Sequence, residues 1–345
     1  MNGIKKIGIL SGGGDSPAIN AAIRAIVINA NKLGYDVLGI KNGWDGLING
    51  QIKEIQRSDV SQILDKGGTI LGSARVNPFK IENGVESVKA NIKKYTIDAL
   101  VAIGGDETIG VMHRLNQYKI RGVGIPQTID NDVPLTDYAI GFNSAVEMAT
   151  NAIDMLHTTA SSHHRIMIVE VMGRYSGWIA LYSGIAGGAD LILVPEIGFD
   201  YDDILNVIEK RRERNKDYSI IVVAEGAKPE EDLKDVSLQT RIDKFGHVQF
   251  GGIGHMIAKE VEKKTGYETR VTVLGHLQRG GKPSSFDRML ATRMGTYAIE
   301  LLHQGEFDNM VCIQNGKIVK EPIEKVLKSE KQMDVSLYEM SKIFN

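Results

Sequence analysis

The chain has 345 residues, 42% of them hydrophobic and 24% charged, enough core material for one large domain or two modest ones. A net charge of −2 supplies no basic field to draw nucleic acid or a membrane surface, so an anion site has to be local. A single cysteine excludes an intrachain disulfide and a cysteine-built zinc site, and no apolar window is long enough to span a bilayer.

The opening Met1–Lys6 runs into a strand without the apolar stretch of a signal peptide, and a cytoplasmic protein is expected. Val/Ile/Leu runs predict buried strands at Ile7–Leu10, Val37–Ile40, Ala99–Ile103 and Val123–Ile125, with a helix over Asn20–Leu33 between the first two. A seam is expected near Tyr138–Asn143. A second set of strands follows at Ile166–Val171, Leu191–Val194, Ser219–Ala224 and Arg270–Leu274, again with helical stretches between. Lys210–Arg214 reads as a solvated helix end, polar Lys228–Gln249 as a surface excursion, and Val311–Ile313 as a short strand that packs the Cys312 thiol. Continuous apolar strands separated by helices predict an α/β protein of two doubly wound units with mainly parallel sheets.

The 38 glycines cluster at the ends of the apolar runs. Ser11–Asp15 follows a strand and precedes a helix, so its N–H groups and the helix N-terminus can cradle an anion; such a turn also serves simply to reverse the chain. Gly104–Thr108 repeats the arrangement after Ala99–Ile103. Here Asp106 can hold Mg²⁺ on a phosphate chain, or Asp106 or Thr108 can cap the helix. Thr128, Asp130 and Asp132 alternate, so an extended segment would point a hydroxyl and two carboxylates one way, as a general base requires. In the second set Arg165 and Arg174 flank one strand, Arg270 and Arg279 flank another, and His276 lies in the turn between Leu274 and Arg279. Arginines at strand ends suit bidentate phosphate contact, although each alone reads equally as half of a surface ion pair. Acidic turns in one half and arginine-rich turns in the other point to phosphoryl transfer onto a phosphorylated acceptor.

The ordered blocks GGGDSPAINAAIR, GGTILGSAR, IGGDET, PQTIDND, SSHHRIMIVEVMGRYSGW, IAGGADLILVPE, VAEGAKP and ETRVTVLGHLQRGG resemble the 6-phosphofructokinase family over almost the whole chain. The closest likeness is to the bacterial subgroup whose members use either ATP or pyrophosphate. The resemblance implies a glycolytic enzyme that phosphorylates the C1 hydroxyl of fructose 6-phosphate in a cleft between two domains. These would be 1–141 plus about 278–328 for the phosphoryl donor, and 142–277 plus about 329–345 for the sugar phosphate. It also implies roles: Asp130 as base, flanked by Thr128 and Asp132; Arg174 on the transferring group; Asp106 for Mg²⁺. Met172, Gly173, Arg174, Glu225, His276 and Arg279 would hold fructose 6-phosphate. Arg165 and Arg270 would reach it from a neighbouring subunit, in a homodimer or homotetramer with shared sites. Gly14, Arg75 and Thr108 would line the donor phosphates.

Two donor positions depart from the family patterns. ATP users typically have glycine at the position of Glu107 and pyrophosphate users aspartate, so a carboxylate there repels the α-phosphate of ATP. Pyrophosphate users carry lysine where this chain has Gln127, and an amide lacks that charge. The balance tips toward pyrophosphate, with ATP the alternative. Arg24, Arg57, Lys216 and Asp190 match positions of the bacterial effector site, but Ile28 and His157 replace arginines there, so weak or absent regulation by ADP or phosphoenolpyruvate is expected. A retired sugar-phosphate-binding subunit is a further reading, opposed by the intact Asp106, Thr128, Asp130, Asp132 and Arg174. A dinucleotide-dependent oxidoreductase lacks the glycine fingerprint.

Overall fold

The computed structural model describes residues 3–230, 241–242, 248–249 and 251–344, so most of the Lys228–Gln249 stretch lies outside the described residues. In chain order the strands are β1 (Lys6–Ser11), β2 (Asp36–Ile40), β3 (Ile52–Glu54), β4 (Ala99–Gly104), β5 (Gly122–Thr128), β6 (Ile140–Gly141) and β7 (Ile166–Val171). They continue with β8 (Leu191–Leu193), β9 (Ser219–Ala224), β10 (Arg241–Ile242), β11 (Val248–Gln249), β12 (Thr269–Val273), β13 (Asn309–Gln314) and β14 (Lys317–Pro322). The α-helices are α1 (Ile19–Lys32), α2 (Trp44–Asn49), α3 (Gly84–Tyr95), α4 (Asp106–Asn116), α5 (Phe142–His163) and α6 (Trp178–Ala186). After them come α7 (Tyr201–Glu213), α8 (Ile253–Thr265), α9 (Ser285–Gln304), α10 (Ile323–Leu327) and α11 (Val335–Ser341). Among the described residues no helix is long and apolar enough to cross a membrane.

The chain divides into one unit of Met1–Ser144 and Arg279–Lys331 and another of Ala145–Gln278 and Gln332–Asn345. In the first, the sheet runs β14–β13–β5–β4–β1–β2–β3 with β6 beside β5, parallel except for the two edge pairs. Alternate side chains diverge to the two faces. Ile7, Ile9, Val101 and Ile103 join a core with α1 and α9, while Leu10, Leu100 and Ala102 join one with α2 and α4. Each such fully buried aliphatic side chain contributes about 1.5–3 kcal/mol. Cys312 is wholly buried on β13, and desolvation pushes its thiol up to about 12. The chain leaves β1 for β2 on one side and β4 for β5 on the other, so the crevice at a topological switch point falls between the loops after β1 and β4.

The second unit carries a parallel sheet in the order β12–β7–β9–β8. Ile166, Ile168, Leu193, Ile221 and Val223 bury one face under α7 and α8. Glu170, 2% exposed near the carboxyl end of β7, accepts hydrogen bonds from Gly252 N (3.1 Å) and Gly254 N (2.9 Å). It thereby caps α8, whose first turn has no acid of its own.

Candidate active site

In the first unit the Gly12–Asp15 loop is held on both sides of its backbone. Gly12 N donates to the Ile103 carbonyl (2.9 Å) and Gly13 N to that of Ala74 (3.2 Å), next to Arg75. Three successive carbonyls receive side-chain donors from distant segments: Gly13 from Ser73 Oγ (2.8 Å), Gly14 from Gln127 Nε2 (3.1 Å) and Asp15 from Arg279 Nη1 (3.5 Å). A Cβ on Gly14 would lie 1.9 Å from that same Nη1, so a side chain there would displace the Arg279 guanidinium. Thr108 packs beneath, its Oγ1 2.9 Å from where a Cβ of Gly12 would stand. Gly14, Thr108, Gln127 and Arg279 are thus gathered around one loop. Arg279, expected among the sugar-phosphate ligands, lies here against the Gly12–Asp15 loop. Gln127 is 1% exposed and its Oε1 is buried without a hydrogen-bond partner.

Asp106 and Glu107 are the first two residues of α4, both exposed. The N-cap is Gly105, and no side chain caps the helix, so the expected capping by Asp106 or Thr108 does not occur. Among the described residues no cluster of three His, Cys, Asp or Glu could hold a metal by itself. A single exposed carboxylate such as Asp106 is compatible with Mg²⁺, which commonly takes one or two carboxylates and completes its shell with water and substrate phosphates.

Thr128, Asp130 and Asp132 do not form the extended row the sequence suggested. Asp130 N folds back on Thr128 Oγ1 (3.1 Å), and Asn131 is left-handed at φ 52°. Asp130 is consequently buried and Asp132 exposed. The cause is the Asn131 side chain, which donates to the Asp137 carbonyl (3.2 Å) and accepts from Ala139 N (2.9 Å), tying off a loop that an extended segment could not close. Asparagine tolerates the left-handed region better than most side chains.

In the second unit Gly173 N (3.3 Å) and Arg174 N (3.1 Å) both donate to Glu225 Oε1. Gly173 has φ 145°, and a Cβ on it would stand 2.3 Å from the Ser176 carbonyl. Arg174 itself is left-handed at φ 53°, a conformation that ordinarily has to be imposed by its surroundings. Met172 N donates to Gln278 Oε1 (3.3 Å), joining the turn to the short helical segment Gly275–Arg279 that carries His276. Met172, Gly173, Arg174, Glu225 and the His276 segment therefore meet at the carboxyl ends of β7, β9 and β12. Gln278, wholly buried, is a bracing residue that the sequence did not mark.

Arg165 and Arg270 lie at the other end of β7 and β12, one strand length away, roughly 17 Å at 3.3 Å per residue. They share one carboxylate: Arg165 Nε donates to Glu268 Oε2 (2.7 Å) and Arg270 to Oε1. The hydrogen bond from Arg165 leads in holding Glu268 below the usual carboxylate range. Of the effector-like positions, Asp190 is buried, 2.5 Å from Arg211 Nη1, and accepts from Ile220 N (2.8 Å). Its burial raises its pKa against those lowering contacts. His157 Nε2 meets the Gly187 carbonyl (2.7 Å), while Ile28 packs on the core of the first unit.

Residues 6–302 match the family described as Phosphofructokinase. The chain is 48% identical over 344 residues to the pyrophosphate–fructose 6-phosphate 1-phosphotransferase of Streptomyces coelicolor, covering 98% of this chain and 99% of that one. It is also 48% identical to the ATP-dependent 6-phosphofructokinase of Corynebacterium efficiens, covering 92% of each. A solved phosphofructokinase structure from Saccharomyces cerevisiae superposes with a TM-score of 0.83 at 33% identity, covering 94% of this chain and 45% of the yeast chain. The paired strand-end loops and these likenesses agree: the chain belongs to the phosphofructokinase family.

Proposed function

We propose that the protein is a 6-phosphofructokinase that transfers a phosphoryl group from pyrophosphate to the C1 hydroxyl of fructose 6-phosphate. The observation that carries this reading is the buried Asp130, at the end of the strand whose Gln127 also braces the Gly12–Asp15 loop. Its carboxylate takes the C1 proton as the sugar oxygen bonds to phosphorus, the bridging P–O bond breaks, and orthophosphate leaves. The loop N–H groups and Arg174 stabilise charge on the transferring group. Mg²⁺, held by Asp106 and the donor phosphates, would neutralise phosphate charge when bound. The Glu225-clamped turn, with His276, orients the sugar phosphate.

The donor assignment rests on Glu107, because relatives named for either donor reach the same 48% identity with this chain. An extra carboxylate beside Asp106 disfavours a nucleotide's further phosphate more than it disfavours pyrophosphate. The placement of Arg165 and Arg270 a strand length from Arg174 supports their service to a second copy's site, hence a homo-oligomer with shared sites. The test is a coupled assay for fructose 1,6-bisphosphate with Mg²⁺ and either donor, alongside Asp130→Asn. Product from pyrophosphate, falling at least ~10²-fold in the variant, is expected from the usual worth of a general base. No product from either donor, or product indifferent to Asp130→Asn, overturns the mechanism; preference for ATP overturns the donor assignment alone.

A further inference from the structure

Lys331 is the last residue of the first unit before the chain passes to the second. Its ammonium donates to the carbonyls of Thr136 (2.8 Å) and Asp137 (3.0 Å), at the far end of the loop that begins with Asp130. The Asp137 carbonyl is shared, for it also accepts from Asn131 Nδ2 (3.2 Å). One oxygen thus joins Lys331 to the residue standing between Asp130 and Asp132. The rest of the loop is tied to β13: Asp137 N donates to the Ile313 carbonyl (2.8 Å), Ile313 N to Thr136 Oγ1 (3.0 Å), and Gln314 Nε2 to the Leu135 carbonyl (2.9 Å). Those three bonds hold the outer limb of the loop. The inner limb is tied through Asn131, by the Ala139 amide on its Oδ1 (2.9 Å) and by the Asp137 carbonyl that Lys331 shares.

We infer that Lys331 is a positioning residue for phosphoryl transfer, its ammonium locking the Asp130–Asp137 loop through Asn131 so that the base is presented in one orientation. The inference rests on the assignment of Asp130 as the base.

The charged groups facing Lys331 are the carboxylates of Asp137 and Asp132, and they only partly offset its burial. Desolvation brings the lysine down from 10.5 to about 8. The ion pairs on the neighbouring β14–α10 segment, Lys325 with Glu321 and Lys328 with Glu324, are formed among themselves. Loss of the proton near pH 8 replaces charge-assisted hydrogen bonds with neutral ones about half as strong. Linkage runs the other way for any opening that hydrates the lysine. Between about pH 8 and 10.5 the unfolded or opened lysine stays charged while the buried one is neutral, so the closed form's stability rises with pH. Deprotonation therefore weakens the contacts that orient the loop without opening it, and it is read in turnover rather than in exchange.

Two measurements test the idea. The first is peptide-level hydrogen exchange over residues 129–139 in the unliganded protein at pH 7. Protection of this segment should fall about tenfold in Lys331→Met, with Lys331→Arg restoring most of it. The second is kcat against pH with saturating substrates. The wild type should lose activity on the alkaline side with an apparent pKa near 8, Lys331→Arg should shift that limb upward, and Lys331→Met should be slow and flat, with the KM for fructose 6-phosphate little changed. Unchanged protection in Lys331→Met overturns the inference, whether or not the enzyme turns over. Absence of wild-type activity with altered protection would instead count against the assigned reaction. Altered protection with a kcat–pH profile identical in all three proteins also overturns the positioning role.

Discussion

Replacing Gln127 by lysine separates two roles that one side chain could play at the donor loop. The wild-type amide is 1% exposed, bonds the Gly14 carbonyl at 3.1 Å, and leaves Oε1 buried without a partner. A lysine there keeps a donor for Gly14 but brings an ammonium into a buried position. Burying a charge costs several kcal/mol, part of which the Gly14 bond and the removal of the stranded Oε1 return, so a net loss of about 2 kcal/mol is expected for the free protein. That loss lowers the unfolding midpoint by roughly 4–8 °C. Bound pyrophosphate supplies a counter-charge, and a charge-assisted contact of ~1.5–3 kcal/mol tightens its KM about tenfold or more. The assay is thermal unfolding with and without pyrophosphate, together with initial rates against pyrophosphate concentration. The variant should be less stable than wild type when empty and gain more from the ligand. An unchanged midpoint together with an unchanged KM would mean that residue 127 does not face the donor, and the reasoning from its burial would fail.

Glu107→Gly should raise kcat/KM for ATP while leaving turnover with fructose 6-phosphate intact, at a stability cost of about 1–2 kcal/mol from the lost first-turn carboxylate and the glycine in α4. Competition assays with both donors present read the shift; an unchanged donor preference removes Glu107 as the discriminator. Fructose 6-phosphate saturation should stay hyperbolic, with a Hill coefficient of about 1, with or without ADP. Asp190 is already occupied by Arg211 and the Ile220 amide, and Ile28 and His157 supply no guanidinium. A sigmoidal curve relieved by ADP refutes that.

Central strands were legible because parallel strands buried on both faces must be largely apolar, as Ile7–Leu10 and Ile220–Ala224 are. The antiparallel edges were not read. β3 and β14 mix polar and apolar residues, as edge strands exposed on one side do, and so lack that signature. One local signal was present: Asn315–Gly316, both at positive φ, is the turn pair that closes the β13–β14 hairpin. At the site, the strand-end turns announced themselves through glycine and carboxylate. Their braces did not, because Ser73, Gln278, Asn131 and Lys331 act on partners whose proximity only the fold creates. The extended reading of Thr128–Asp132 failed for the same reason: its shape is decided by Asn131 closing on Asp137 and Ala139, not by local alternation.

Position 127 brings the two kinds of evidence together. Taken as a letter in a motif, glutamine is a lysine minus its charge, and the subtraction weakens the case for pyrophosphate. In the folded unit it is one of three side chains, with Ser73 and Arg279, that hold successive carbonyls of the donor loop. Turning carbonyls onto the scaffold removes their negative ends from the space a phosphate would enter, which favours an anion without adding a cation. Arg279, beside Gly14, supplies a guanidinium on the same side of the loop. The charge missing at position 127 is therefore offset by geometry and by a neighbour the motif does not include. Glu107, by contrast, has no such compensation within its helix. That asymmetry, more than resemblance to either donor class, is what makes pyrophosphate the better reading for this chain.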